Sequence, residues 1–219
     1  MALPGVRLQH VVNPAVTQVD AAVDLFVDLM KDDPSLLSLV GGDALLMAPL
    51  SRAMLRAGIH SGQYYEATHE QDGLVGYMVT MPPGKDLLST DEQRALGLTD
   101  FMSKLSSEGK EYYKAVYLTQ FPAFVNACLG PTGKRDSWYI NMLMVRREYQ
   151  GHGIGKDLVN LICEKASLKG DTVALSTTTD LNATIYQKMG LTLLDRKIMP
   201  SPWGDWPLYI LSLKTNIPN

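Results

Sequence analysis

Val145-Arg146-Arg147-Glu148-Tyr149-Gln150-Gly151-His152-Gly153-Ile154-Gly155-Lys156 is the stretch on which the reading of this chain turns. The aromatic and apolar run Trp138–Val145 that leads into it reads as a strand, and the segment that follows carries Ile154, Leu158, Leu161, Ile162 and Ala166 on one helical face. Three glycines at alternate positions let backbone N–H groups approach a bulky anion without a Cβ in the way. The helix that follows adds roughly half a positive charge at its N-terminus. Such a turn cradles a pyrophosphate. The plain alternative is that the glycines only turn the chain into the helix. Two phosphate motifs fail on residue type. A GxxxxGK[ST] loop needs glycine where Gln150 stands and Ser or Thr where Asp157 stands, and a GxGxxG loop places its third glycine at Lys156.

Outward from the loop, Thr172–Thr178 is rich in β-branched residues and reads as a strand, Leu181–Met189 as a short helix stopped by Gly190, and Leu191–Ile198 with Leu208–Leu213 as a closing pair. Upstream, Val6–Val12 reads as a strand, and Val19, Val23, Phe26 and Met30 recur at helical spacing. After the turn signal Asp32-Asp33-Pro34, a second helix spans Asp43–Arg56 and ends at Gly58. Gln63–Glu70 and Leu74–Met81 form a hairpin about Asp72-Gly73, and Leu87–Leu129 is helical with interruptions. The order is mixed α/β, with hairpins at both ends and strand-helix-strand between.

Composition narrows the function classes. In 219 residues, 20 basic against 23 acidic side chains leave a net charge of -3 with no basic block, which argues against a nucleic-acid partner. No apolar run reaches the roughly 20 residues that span a bilayer, nor does the start of the chain read as a signal peptide. The two cysteines, Cys128 and Cys163, have no CxxC spacing and no His or Cys cluster beside them, so neither a metal nor a disulfide framework is expected. A cytoplasmic protein, monomeric or homodimeric, is the expectation, with Cys163 as an inert thiol on an apolar helix.

Gln150–Gly155 fits the pattern Q-x-x-G-x-G, and with it the chain resembles the GCN5-related N-acetyltransferases, the GNAT superfamily. Arg146 and Arg147 stand where basic residues often precede the loop in that family. The stretch from Leu181 to Leu191 resembles its N-x-x-A-x-x-x-Y-x-x-x-G-F segment in compressed form, with Asn182, Tyr186 and Gly190 in order and Leu191 in place of the frequent phenylalanine. The resemblance covers the second half; residues 1–136 match only in the order of elements.

The resemblance implies a single α/β (α+β) domain over residues 1–219, with a helical insertion at 82–136. Its sheet would be mixed and mostly antiparallel, flanked by helices, with the central parallel strands Trp138–Val145 and Thr172–Thr178 splayed apart. It implies transfer of an acetyl group from acetyl-CoA to an amine, most simply of a small molecule, by direct attack in a ternary complex. Backbone at Leu143, Met144 and Val145 would hold the acetyl and pantetheine carbonyls. Backbone of Gln150, Gly151, His152, Gly153, Ile154, Gly155 and Lys156 would hold the pyrophosphate, with His152 in reach of phosphate. Asn182 would fix pantetheine or cap its helix, and Tyr139, Trp203 and Trp206 would border the acceptor. Tyr186 would hydrogen-bond the departing thiolate. Full proton transfer from an ordinary tyrosine to a thiolate is uphill by about 2 kcal/mol, so a hydrogen bond is the safer role.

One feature departs from the family pattern. Many relatives supply a carboxylate base from the strand before the loop, whereas Trp138–Val145 offers only Tyr139 and Asn141. Ordered water, His60, Asp136 or Asp180, or a weakly basic acceptor that needs no base would then serve. The alternative to an enzyme is a non-catalytic acetyl-CoA-binding regulatory module.

Overall fold

The computed structural model describes residues 4–217. The chain opens with β1 (Val6–His10), α1 (Val16–Met30) and α2 (Pro34–Leu39), and a 3₁₀ turn at Ala44–Leu46 leads into α3 (Met47–Ser61). The hairpin β2 (Gln63–His69) and β3 (Gly73–Met81) turns at Gly73, whose φ of +68° suits glycine. Five helices follow: α4 (Asp91–Ala95), α5 (Leu98–Lys104), α6 (Ser107–Tyr112), α7 (Leu118–Leu129) and α8 (Gly133–Asp136), with a π-helical turn at Tyr113–Tyr117 between α6 and α7. The chain closes with β4 (Trp138–Val145), α9 (Ile154–Ser167), β5 (Thr172–Thr177), α10 (Asp180–Lys188), β6 (Thr192–Met199) and β7 (Trp206–Lys214).

The seven strands form one sheet in the order β1-β2-β3-β4-β5-β7-β6. Every pairing is antiparallel except β4 with β5, which is parallel and brief: Trp138, Tyr139 and Ile140 oppose Val173, Ala174 and Leu175, and there the register stops. Both strands run on past that point, β4 to Val145 and β5 to Thr177, so their free edges diverge and leave a gap in the middle of the sheet.

Alternation along the strands, reset in β4 by a bulge at Asn141, sends side chains to two cores. Tyr64, Tyr77, Val79 and Met142 pack with α1, α2 and α3 on one face, while Tyr65, Met78, Ile140 and Leu175 pack with α9 on the other. A third cluster joins Val125 of α7 to Met199, Trp206, Leu208 and Ile210 of the last hairpin.

Two elements differ from the sequence expectation. Gly58 does not end the second helix, which continues to Ser61; the glycine is there for close packing, since a Cβ would fall 2.2 Å from Val79 Cγ1. The expected Asp32-Asp33-Pro34 turn is followed by a helix, α2, which lacks enough residues for a visible period. Asp33 caps it, accepting from the backbone N–H of Ser35 at 2.8 Å and of Leu36 at 3.3 Å, with Pro34 at its first position. Among the described residues no helix is long and apolar enough to cross a membrane.

Candidate active site

The gap between β4 and β5 opens into a cavity of about 850 Å³. Its first wall is the unpaired edge of β4. Arg146 donates its N–H to Val75 O at 2.8 Å, and in an antiparallel pair alternate residues turn their backbone groups to opposite sides. The N–H groups of Leu143 and Val145 therefore point away from β3, into the gap. Gln150 Nε2 donates to Val145 O at 2.9 Å and ties the glycine loop back to this edge.

The loop itself is built for close approach. Gly151 and Gly153 have φ of +79° and +90°, values that disfavour any side chain, and a Cβ at either would meet nothing within 4 Å. Open space thus lies in front of both. Gly153 caps the N-terminus of the 14-residue helix α9, and no side chain bonds its leading N–H groups. Among the described residues, the N–H groups of Gly151, His152 and Gly153 have no protein acceptor, whereas that of Gln150 is engaged with Arg147 O at 3.2 Å. Lys156 and His152 are exposed beside the loop, and Ile154 is buried in the α9 core with only its backbone at the mouth.

On the β5 side, α10 begins just after the strand. Thr179 caps it, accepting from the N–H of Asn182 at 3.1 Å, so Asn182 is not the cap and its exposed side chain stands free at the cavity rim. One turn on, Tyr186 lines the same cavity, and burial pushes its phenol up to about 12. Among the described residues no group hydrogen-bonds its hydroxyl. A neutral donor facing a cleft is suited to a developing anion.

The far wall is a chamber of side chains from α1 to α8. Leu36, Met54, Leu98, Tyr113, Tyr117 and Phe121 line it, and Tyr139, Asn141 and Trp206 close it from the sheet. Tyr139 is buried, with a hydroxyl that faces Ser176 but makes no hydrogen bond of ordinary geometry. Trp206 lines the chamber but gives its indole N–H to Tyr112 Oη at 3.1 Å. Trp203 does not line it. Its ring packs edge-on to Tyr112 and covers Gly42, where a Cβ would lie 2.4 Å from Nε1, so the aromatic loop is held down on α2 and α6.

None of the three side chains considered as a base reaches the cavity. His60 lies in a separate crevice with Arg52 and Arg56, Asp136 is exposed at the end of α8, and Asp180 accepts from the hydroxyl of Tyr209. Asp33, read from sequence only as part of a turn, has a larger part. Besides capping α2 it accepts from Thr178 Oγ1 at 2.9 Å, which fastens the first helical pair to the end of β5. The Asp-Pro step announces a turn, but the partner at Thr178 is 145 residues away and leaves no local signal. Among the described residues no cluster of His, Cys, Asp and Glu has a metal-binding arrangement, and both cysteines are free thiols raised by burial.

Residues 111–191, from the end of α6 to the residue before β6, match the family model of the acetyltransferase (GNAT) domain. Three solved structures share the fold over nearly the whole chain. A Corynebacterium glutamicum protein described as histone acetyltransferase HPA2 and related acetyltransferase has a TM-score of 0.62 at 15% identity, covering 98% of this chain and 99% of that one. Mosquito arylalkylamine N-acetyltransferase like 5b has a TM-score of 0.64 at 12% identity, covering 95% and 99%. The polyamine N-acetyltransferase of Drosophila melanogaster has a TM-score of 0.56 at 12% identity, again covering 95% and 99%. Among curated protein sequences none matches the chain. The family model falls on β4, the glycine loop, α9, β5 and α10, the elements that make the gap and its mouth, and over them the chain is similar to the GNAT acetyltransferase domain.

Proposed function

We propose that the protein transfers the acetyl group of acetyl-CoA to the amino group of a small molecule, by direct attack with both substrates bound. One observation carries this reading: a single cavity runs from the open edge of β4 and Gln150 through to the apolar chamber at Leu98 and Phe121. A donor arm entering along the strand edge would meet an acceptor entering from the chamber.

The residues fit that donor. The free N–H groups of Leu143 and Val145 suit its carbonyls, those of Gly151 to Lys156 suit a pyrophosphate, and Asn182 stands beside the arm. Attack forms a C–N bond, breaks the C–S bond, and leaves a proton on nitrogen that must go to solvent or a base. The thiolate leaves towards Tyr186. With the phenol at about 12, full proton transfer to a thiolate of ordinary basicity would be uphill by about 5 kcal/mol, so the hydroxyl stabilises sulfur by hydrogen bonding.

That no carboxylate lines the cavity among the described residues favours a second reading, a regulatory module that binds acetyl-CoA without turnover. Thiol release from acetyl-CoA in the presence of a panel of amines separates the two. Turnover with any amine establishes the enzyme; thermal stabilisation by acetyl-CoA without thiol release from any amine establishes the module.

A further inference from the structure

The ionisable side chains that line the cavity are three cations, Arg94, Lys134 and Arg147, and four phenols, Tyr113, Tyr117, Tyr139 and Tyr186; among the described residues no aspartate or glutamate lines it. Four carboxylates stand behind the wall, and each is engaged. Asp28 pairs with Arg147 Nε at 3.8 Å. Asp86 pairs with Lys134 Nζ at 2.8 Å, Asp91 pairs with Arg94 at 2.6 Å, and Asp33 accepts from Ser35, Leu36 and Thr178. The Lys134 ammonium, paired with Asp86, lies 5.1 Å from the ring centre of Tyr139 and 5.9 Å from that of Phe121, so the cation sites at the aromatic end of the chamber are already occupied by a protein cation.

This lining sets a charge rule for the acceptor. A protonated alkylamine would leave water for an apolar wall, find no free counter-ion, and approach Lys134. An unpaired ion in such a place costs several kcal/mol, and the ammonium would sooner lose its proton or stay out. An amine already neutral meets no such cost.

The sheet side of the chamber adds a second, independent observation. Asn141 Oδ1 and the Tyr139 hydroxyl are buried at the cavity wall, and neither makes a hydrogen bond of ordinary geometry, the nearest group to the phenol being Ser176. Each unsatisfied group costs about 1–3 kcal/mol that a partner would recover. The Asn141 amide offers an acceptor and donors, and a phenol offers one of each; together they match a neutral amine, which has N–H groups and a lone pair.

We propose that the acceptor is an amine uncharged at neutral pH, such as an arylamine, on a large apolar body, with its nitrogen set against Asn141 and Tyr139. The identity of the reaction rests on the acetyl-transfer reading above; the binding preference does not. An amine of this kind also removes the need for a protein base, because its lone pair is free before it binds.

The test is calorimetric titration of the protein, with and without coenzyme A, using 1-naphthylamine, 1-naphthylmethylamine and spermidine near neutral pH. The first two share one apolar body and differ in basicity. Naphthylamine should bind about tenfold or more tightly than naphthylmethylamine, and raising the pH towards the alkylamine's own pKa should close the gap. Asn141→Asp, which places a carboxylate in the wall, should shift the preference towards naphthylmethylamine. Equal or tighter binding of either cation to the native protein overturns the proposal, and so does failure of both naphthyl probes to bind. A folded Asn141→Asp variant with an unchanged preference overturns the seat at Asn141. A preference for naphthylamine with no thiol release from acetyl-CoA would support the charge rule while removing the transfer reaction.

Discussion

The two ends of the cavity are made of different material. On the proposed donor side the chain presents backbone: the unpaired edge of β4 beyond Ile140, two glycines in the left-handed region, and the N-terminus of α9. On the proposed acceptor side it presents side chains, drawn from the helices that precede β4 and from the sheet. A backbone site is specified by where side chains are missing, and one short stretch of sequence can hold it. A side-chain site is specified by which elements meet, which is a property of the whole fold. The donor end is thus the part of the molecule least tolerant of added bulk, and the acceptor end the part on which selectivity is written.

The largest effect should come from adding bulk and charge to the backbone end. Gly153→Glu puts a side chain and a negative charge where the structure has open space. Acetyl-CoA at a hundred times its Kd should stabilise the native protein by about 2.7 kcal/mol, and the variant should lose that shift. Gly84 is a control, because it has the same φ of +90° and the same open surroundings but lies outside the loop. Gly84→Glu carries the backbone strain without the anion site and should keep the acetyl-CoA shift. A retained shift in Gly153→Glu would take the glycine loop out of the donor site.

Next in size is the side chain at the boundary between the two ends. Tyr186→Phe should lower turnover about 10- to 1000-fold while leaving acetyl-CoA affinity nearly unchanged, since the hydroxyl acts only as charge develops on sulfur. Because burial holds the phenol at about 12, it stays protonated through the working range, and the pH-rate profile should show no loss of this donor below about pH 11. Normal turnover in the variant would make Tyr186 a packing residue.

The uneven legibility of the sequence follows from the same contrast. Q-x-x-G-x-G, the strand before it and the apolar face of α9 lie within 30 consecutive residues, Trp138 to Ser167, so period and glycine placement suffice to read them. The gap itself could be expected only through the family resemblance, because nothing local tells β4 and β5 to part after three paired residues. On the other side, α2 has six residues and no readable period, and the π-helical turn at Tyr113–Tyr117 leaves no mark in composition. The sequence shows a loop at Met199–Pro207, but Met199 ends β6 and Trp206 and Pro207 open β7, and the fate of the two tryptophans was not legible: Trp203 packs over Gly42, just after α2, while Trp206 turns into the chamber.

A smaller effect should come from the tie that holds the acceptor end to the sheet. Asp33→Ala removes the α2 cap and the bond from Thr178, and should lower stability by about 2 kcal/mol in urea unfolding, roughly half from each. Thr178→Val should cost about 1 kcal/mol, and the double variant should cost less than the sum, because both remove one shared bond. Additive losses would mean that α2 and β5 are held together by packing alone.

The smallest effect distinguishes a dry acceptor chamber from a wet one. Tyr117 lines the chamber, stacks on Phe121 at 5.2 Å, and is pushed up to about 12 by burial, with the phenol of Tyr112 and the carboxylate of Asp86 adding to the shift. In the unfolded chain a tyrosine titrates at about 10, so between about pH 10 and 12 the unfolded state has lost a proton that the folded state keeps. The unfolded state then binds fewer protons, and stability falls as pH rises through that window; below about pH 10 both states hold the proton and the group contributes no pH dependence. Tyr64, Tyr77, Tyr113, Tyr139 and Tyr186 are raised for the same first reason, burial, so the alkaline limb should be steep and shared. Tyr117→Phe removes one share. The urea midpoint should decline less steeply with pH above about pH 10 than in the native protein, while stability near neutrality changes by less than about 1 kcal/mol, because the hydroxyl has no hydrogen bond to lose among the described residues. Parallel alkaline limbs in the two proteins would mean that Tyr117 titrates as it does in water. The chamber would then be wet enough to screen Lys134, and a cationic amine would no longer be shut out by charge.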